Sequence, residues 1–166
     1  FECVVTDNDA ETGAGIYVAP LATVVEAGGR FEANVAALSG GAVHAVGPLV
    51  TESSEMIGNA APLGGAVYAS EGLQLLSDLR LEGNDAIQGG AVYADAADVV
   101  LDGCEIVDNA AAFDGGGVYQ FGLAVVATSS STFEGNRAGF DGGGLYLASG
   151  SGSTIDGTTF VSNEAE

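Results

Sequence analysis

Apart from its carboxylates, this chain has few side chains that could carry out acid–base or nucleophilic chemistry. It has three arginines, one histidine (His44), two cysteines and no lysine, against 23 aspartates and glutamates. A basic residue can take a proton from an acidic sugar beside bound calcium, and a carboxylate pair can hydrolyse a glycosidic bond. No serine–histidine–aspartate set and no carboxylate pair stands out from the sequence. We therefore do not expect an enzyme, and we assign no catalytic residue.

A calcium site is the chemical interpretation that the carboxylates support best. Asp114 and Asp141 occupy equivalent positions in two copies of Phe-Asp-Gly-Gly-Gly. Two acidic side chains that lie close together repel each other unless they are solvated or bridged, and calcium binds such oxygens. The chain has no EF-hand loop and no nonapeptide calcium motif. We name Asp114 and Asp141 as candidate metal ligands, with calcium as the only cofactor to consider; a solvated acidic corner is the alternative.

One repeat runs through the whole chain and determines where these residues lie. Asparagine recurs at intervals of 26, 25, 25, 25, 27 and 27 residues, at Asn8, Asn34, Asn59, Asn84, Asn109, Asn136 and Asn163. An alanine follows each of them by two residues. A bulky apolar residue precedes each by three, at Val5, Phe31, Met56, Leu81, Ile106, Phe133 and Phe160. After six of these asparagines, a cluster of small residues leads into an aliphatic residue and then usually a tyrosine. Repeats of this length in phase predict a solenoid.

Each repeat contains three short segments of β character separated by glycine or polar corners. In the third repeat these segments lie around Met56, at Val67-Tyr68, and at residues 73–76. The leucine frame of leucine-rich repeats is absent, and helical repeats use more Ala, Leu, Glu and Lys. We therefore predict an all-β fold in which residues 1–166 form a single domain. That domain is a right-handed, three-sided parallel β-helix of about six to seven coils, roughly 30 Å long at the strand spacing of a sheet.

The geometry of a solenoid turns each repeat position into a column of touching residues. Equivalent residues in successive coils lie about 4.8 Å apart, so the bulky apolar column fills the interior and the asparagines stack as a hydrogen-bonded ladder. The alanines and glycines mark places that are too tight for a larger side chain or that need a positive φ. An aromatic column stacks along the rod, and it becomes a sugar-binding strip only if its rings face outward: Tyr17, His44, Tyr68, Tyr93, Tyr119 and Tyr146.

The positions just before each asparagine account for most of the remaining reactive residues. Four residues before the Asn, the second to fifth repeats carry Arg30, Glu55, Arg80 and Glu105. This alternation predicts a cross-strand ion ladder, which leaves Arg137 alone. Cys3 and Cys104 lie one position earlier and four coils apart, which is about 19 Å. That distance is too long for a disulfide, so we expect two unpaired, buried cysteines.

The pairing of a Phe-x-x-Asn unit with a Gly-Gly-Ala-Val unit resembles the repeats of the chlamydial polymorphic outer membrane proteins. The cleanest copies are residues 31–34 with 40–43, and residues 133–136 with 143–145. The resemblance covers essentially the whole chain. It implies a surface-exposed β-helix, often an adhesin, with no catalytic residues to transfer. The outer-membrane barrel that anchors the chlamydial members is not found in this sequence.

Charge and composition narrow the choice of partners. The formal net charge is −20, which excludes nucleic acid and anionic membrane because phosphate binding depends on Lys and Arg. The hydrophobic fraction of 47% excludes a disordered acidic chain, and no apolar run is long enough to insert into a membrane. No polar capping repeat is visible at either end. We therefore expect either an excerpt of a longer solenoid, with neighbouring repeats as partners, or a subunit that stacks head to tail.

These observations predict a secreted or cell-surface structural or adhesive scaffold without catalysis. It would serve as a stalk, an adhesin passenger or a filament subunit. The alternative is a carbohydrate-binding or carbohydrate-processing β-helix, which would use the tyrosine column or an acidic groove and take glycans as partners.

Overall fold

The computed structural model describes residues 3–148 and 152–166, which form a parallel β-solenoid. Their 26 strands lie in four sheets, and each strand pairs in parallel with the equivalent strand of the neighbouring coil. Two sheets have seven strands and two have six. The predictions of an all-β solenoid, parallel pairing and six to seven coils are therefore confirmed.

The strands are numbered in chain order. Each of the first six coils contributes one strand to each sheet, and the seventh contributes one strand to each of the first two. Sheet A consists of β1 (Val4–Thr6), β5 (Arg30–Glu32), β9 (Glu55–Ile57), β13 (Arg80–Glu82), β17 (Glu105–Val107), β21 (Thr132–Glu134) and β25 (Thr159–Val161). Sheet B consists of β2 (Asp9–Thr12), β6 (Val35–Ser39), β10 (Ala60–Leu63), β14 (Asp85–Gln88), β18 (Ala110–Ala111), β22 (Arg137–Ala138) and β26 (Glu164–Ala165).

The other two sheets complete each coil. Sheet C consists of β3 (Ile16–Val18), β7 (Val43–Ala45), β11 (Val67–Ala69), β15 (Val92–Asp95), β19 (Val118–Phe121) and β23 (Leu145–Leu147). Sheet D consists of β4 (Val24–Ala27), β8 (Leu49–Glu52), β12 (Leu73–Ser77), β16 (Asp98–Asp102), β20 (Val126–Ser129) and β24 (Thr154–Asp156).

The prediction of three strands in each coil is wrong by one strand, because a full coil has four. In the third coil the segment around Met56 is followed by a corner at Gly58 and Asn59, and a second strand, β10, begins directly after it. Gly58 has a φ of +60°, and the side chain of Asn59 is buried. The asparagine column therefore lies at a corner, as expected for the ladder, and the strand that follows it is the one that the sequence pattern did not indicate.

The interior is filled by the apolar columns, as predicted. Phe31, Met56, Leu81, Ile106 and Phe133 are each at most 1% exposed. Sheet C adds its valines and alanines to the same core, and sheet D adds its leucines. Because each apolar residue packs on its equivalents in adjacent coils, the core is one continuous column along the solenoid.

The glycine clusters that follow each asparagine serve two different needs. Gly64 and its equivalents have a positive φ, which is +63° at Gly64. Gly65 has an ordinary φ, but a Cβ placed there would lie 2.2 Å from the carbonyl oxygen of Gly90. The first glycine permits the corner, and the second permits adjacent coils to approach closely. Both roles match the prediction.

Candidate functional site

The asparagines form an uninterrupted ladder at the corner between sheets A and B. Each Nδ2 donates to the Oδ1 of the asparagine one coil further on, at 2.7–3.1 Å. The same Oδ1 accepts the backbone N–H of the preceding asparagine. From Asn34 onward, Nδ2 also donates to a backbone carbonyl of the preceding coil, such as that of Phe31 for Asn59. The predicted ladder is confirmed.

This ladder satisfies polar groups that have no access to water. Asn34, Asn59, Asn84, Asn109 and Asn136 are at most 1% exposed. A buried polar group without a partner costs about 1–3 kcal/mol, so each coil depends on its neighbours for the amide partners. These five asparagines therefore bind coil to coil and have no donor or acceptor left for a ligand.

The aromatic column stacks along sheet C. Its ring centroids are 4.7–5.5 Å apart, with interplanar angles of 13–27°. Tyr68 lies between Val67 and Ala69, which both point into the core. Alternation along a strand therefore places the tyrosines on the outer face, which answers the question that the sequence left open.

Although the column faces outward, its ring faces are covered by one another. Tyr93 and Tyr119 are 7% and 6% exposed, whereas Tyr17, at one end of the column, is 51% exposed. Burial raises the pKa of Tyr93 to about 12. Burial also raises the pKa of Tyr68, whose hydroxyl donates to Asp95 at 3.0 Å. A sugar needs an open ring face for stacking, and of these four rings only Tyr17 has one.

His44 stacks between Tyr17 and Tyr68 in the place of a tyrosine. Its Nδ1 lies 2.8 Å from the Oγ of Ser39, a contact that sequence reasoning did not identify. Burial lowers the pKa of His44. A hydroxyl beside an imidazole can act as a nucleophile with its base when a third group orients the base. Neither Ser39 nor His44 lines the groove on sheet B or the depression at the C-terminal end, which are both described below. The contact between them is consistent with a role in packing.

The arginines form forks on sheet A. Arg30 binds Glu32 of its own strand at 3.1 Å, together with Glu55 of the next coil. Arg80 repeats this arrangement with Glu82 at 2.8 Å and Glu105. The predicted alternation of charge across coils is confirmed, but the ion pairs fall into two separate forks. Glu55 and Arg80, which would join the forks, are neighbours in the strand register. These exposed pairs favour one register between coils, and each contributes little stability.

The expectation that Arg137 stands alone is wrong. Its guanidinium lies 3.1 Å from the carboxylate of Glu164. Both residues directly follow an asparagine of the ladder, so they are neighbours in the same column of sheet B. Their side chains are 71% and 67% exposed, and the pair lies at the surface.

Asp114 and Asp141 lie on adjacent coils, as predicted. The backbone N–H of Asp141 donates to Oδ1 of Asp114 at 3.3 Å, and Nε2 of Gln88 donates to Oδ2 of Asp114 at 3.4 Å. Within the described part of the chain, no three or more Asp, Glu, His or Cys side chains come together as metal ligands. Calcium takes six to eight oxygens, so a calcium ion here would depend mainly on water and backbone oxygens.

The two cysteines are free, as expected, but only one of them is buried. Cys104 is enclosed, and burial raises the pKa of its thiol to about 11, so the reactive thiolate is suppressed. Cys3 is exposed, contrary to the expectation. It lies in the first described coil, where neighbouring coils cover a residue on one side only.

Sequence reasoning missed an apolar groove on the outer face of sheet B. It has a volume of about 340 Å³ and an alanine-rich lining of Val35, Ala36, Ala60, Ala61, Pro62, Asp85, Ala86, Ile87 and Ala112. Beside it project Phe113 and Phe140, which are 46% and 57% exposed, with ring centroids 5.5 Å apart. The sequence signal for this face is the phenylalanine in both copies of Phe-Asp-Gly-Gly-Gly, a motif from which we predicted a role only for the aspartate.

These features define the molecule as a parallel β-solenoid. The chain belongs to the right-handed β-helix family, whose sequence model, described as a right-handed β-helix region, matches residues 2–166. The predicted handedness is thereby confirmed. Neither the curated proteins nor the solved structures contain a match to this chain. Among residues 3–148 and 152–166, no helix has the length and apolar character to cross a bilayer.

Proposed function

We propose that this chain is a rigid structural or adhesive scaffold, secreted or displayed at the cell surface, without catalytic activity. The observation that carries the proposal is the asparagine ladder, which continues from Asn8 to Asn163 through every coil. Each coil is held by its neighbours through backbone, amide and ring contacts. This construction suits a stalk, an adhesin passenger or a filament subunit, in which length and stiffness are the useful properties.

The resemblance to the chlamydial polymorphic outer membrane protein repeats supports the surface location. Passengers of that family are extended β-helices presented to the outside of the cell. The net charge of −20 adds support, because a strongly charged surface stays soluble and resists non-specific association. The proposal includes neither nucleic-acid binding nor insertion into a membrane.

The proposed partner of the end strands is a further β-helix coil, from neighbouring repeats of a longer chain or from a second copy. The depression at the C-terminal end has a volume of about 630 Å³ and includes Leu145, Phe160 and Asn163. Leu145 and Phe160 belong to apolar columns that are buried in the middle coils, and Asn163 is the last rung of the ladder. An added coil would bury all three residues.

Carbohydrate binding is the second candidate function, and the exposed ring of Tyr17 favours it. Tyr17 is 51% exposed, and an open aromatic face at the surface can stack on a sugar. If glycans bind there, Tyr17→Ala removes the binding, whereas Tyr93→Phe keeps it because the Tyr93 ring face is covered.

We also propose that any calcium bound to this chain lies between Asp114 and Asp141. Their repulsion is the property that a calcium ion would relieve. Calcium at millimolar concentration would then raise the thermal midpoint of the wild type and leave that of Asp141→Asn unchanged. Equal effects on both proteins, or no effect, would remove calcium from the account.

The scaffold proposal is tested by combining electron microscopy with an assay for catalysis. Negative-stain images at near-physiological salt are expected to show straight rods, either single or joined end to end. Incubation with a panel of acidic and neutral polysaccharides is expected to release no new reducing ends and no unsaturated products. Release of product that is lost on substitution of one carboxylate would overturn the proposal.

A further inference from the structure

We propose that the outer face of sheet B is a docking surface for a second copy of this chain, and that two copies pair face to face with antiparallel solenoid axes. This inference is independent of the proposed function, because it concerns the side of the rod. It rests on a ridge and a groove that lie on the same face, and on one cation with a carboxylate to meet it.

The ridge arises from a difference in segment length. The corner glycine follows its asparagine by six residues at Gly40, Gly115 and Gly142, and by five at Gly13, Gly64 and Gly89. The longer segments contain Leu38, Phe113 and Phe140, which are 51%, 46% and 57% exposed. Phe113 and Phe140 are on adjacent coils and form one aromatic projection.

The groove lies where the segments are shorter. Strands β10 and β14 are adjacent, and their outward residues Ala60 and Pro62 lie beside Ile87. The volume of about 340 Å³ is sufficient for aromatic rings. An exposed apolar face of this kind on an otherwise acidic protein indicates an interaction surface.

Self-complementarity selects the second copy as the partner. A two-fold axis that lies in the interface, parallel to the strands and between β14 and β18, places β18 over β14 and β22 over β10 of the other copy. Phe113 then lies over Ile87 of the second copy and Phe140 over its Pro62, and symmetry repeats both contacts. An axis along the solenoid would instead set each ridge against its own equivalent, which leaves the grooves empty.

Charge agrees with the same register. Arg137 and Asp85 both directly follow an asparagine, so they lie at the same height along their strands. In the paired arrangement Arg137 lies over Ala60 of the second copy. Asp85 of that copy is on the adjacent strand, displaced along the solenoid by one strand spacing of about 4.8 Å. Arg137 is the arginine on this face, and its guanidinium is paired with Glu164 of its own copy at 3.1 Å. In the paired arrangement it takes Asp85 of the second copy as a further carboxylate, as Arg30 takes both Glu32 and Glu55.

The contact is expected to be weak and to strengthen with salt. The four strands that the axis pairs, β10, β14, β18 and β22, with the residues that follow them, give a face of roughly 19 Å by 13 Å, which is smaller than the interface of a stable dimer. We therefore expect a dissociation constant no tighter than about 100 μM. Each copy carries a net charge of −20, and salt screens this repulsion.

Sedimentation equilibrium of the full chain, from about 10 μM to about 1 mM, tests the proposal at low and high ionic strength. We expect a monomer–dimer equilibrium that stops at two copies and tightens at high salt. Phe113→Ser with Phe140→Ser is expected to raise the dissociation constant at least about tenfold, whereas Leu123→Ser leaves it unchanged. Leu123 is the matched control because it is 84% exposed in a turn elsewhere.

A charge exchange tests the register. Arg137→Asp is expected to weaken the dimer about threefold, and adding Asp85→Arg is expected to restore it. A protein that stays monomeric at both ionic strengths overturns the proposal. So does an association that the phenylalanine substitutions leave unchanged, which would indicate contacts through the ends. Circular dichroism of each variant confirms that the fold is retained.

Discussion

Asn59 is joined to Asn84 by two hydrogen bonds to a single oxygen. The backbone N–H and the Nδ2 of Asn59 both donate to Oδ1 of Asn84, at 2.9 and 3.1 Å. Asn84 in turn donates to Asn109 and to the carbonyl of Met56, both at 2.9 Å. No other side chain has this length, an acceptor and two amide hydrogens together, so the repeat admits only asparagine here.

Replacing Asn84 with alanine is expected to destabilise the protein by about 3–5 kcal/mol. The change leaves two N–H donors of Asn59 buried without partners, and each such group costs about 1–3 kcal/mol. It also removes the side-chain donor to the carbonyl of Met56. Urea unfolding followed by circular dichroism measures the loss. Asn8→Ala is the control, because Asn8 is exposed at the first coil and its loss is expected to cost less than about 1 kcal/mol. Equal losses at both positions would show that the ladder is not the source of stability.

Two glycines provide a matched test of how closely the coils approach. Gly65→Ala places a methyl group 2.2 Å from the carbonyl of Gly90, which cannot move without separating two strands. Gly83 has a φ of +60° and open space around its Cβ position, so Gly83→Ala adds only about 1 kcal/mol of backbone strain. We expect Gly65→Ala to fold poorly and Gly83→Ala to fold normally. Thermal unfolding compares them, and the reverse order would contradict the observed coil contacts.

Alkaline pH is expected to destabilise the protein through the tyrosine column. The folded state raises the pKa of Tyr93 to about 12, whereas an unfolded tyrosine ionises near 10. Between these values the unfolded chain releases the proton and the folded chain keeps it, so the free energy of unfolding falls as pH rises. Tyr93→Phe removes this group and is expected to flatten the decline between pH 10 and 12. Identical slopes for the variant and the wild type would show that Tyr93 ionises freely.

The arginine forks predict a small, orientation-dependent effect. Arg80→Glu places like charges beside Glu82 and Glu105, and the loss is expected to be no more than about 1 kcal/mol because the pair is exposed. Adding Glu105→Arg restores the cross-coil pair, although the contact with Glu82 is lost. A double-mutant cycle at low and high salt measures the coupling free energy between Arg80 and Glu105. A coupling of zero at low salt would show that the fork does not stabilise the protein.

The columns could be predicted from the sequence because, in a solenoid, residues that lie one repeat apart in the sequence touch each other in the structure. The Asn, Phe/Met/Leu/Ile and Tyr positions recur at one coil length, so residues of the same type stack on one another. The pair of Arg137 and Glu164 obeys the same rule and was missed because the column after the asparagine was not considered. The strand that follows Asn59, the contact of Ser39 with His44, and the groove depend on backbone turns inside one coil, which periodicity does not describe.

Hydrogen exchange of the ladder amides tests the central claim most directly. The backbone N–H groups of Asn59, Asn84 and Asn109 donate to buried Oδ1 atoms. In a rigid scaffold held by this ladder, they should exchange only through global unfolding. Their exchange free energies, measured by NMR, are then expected to equal the free energy of unfolding in urea. Exchange through local opening, well below that value, would contradict the account by showing that the coils separate at the ladder while the protein stays folded.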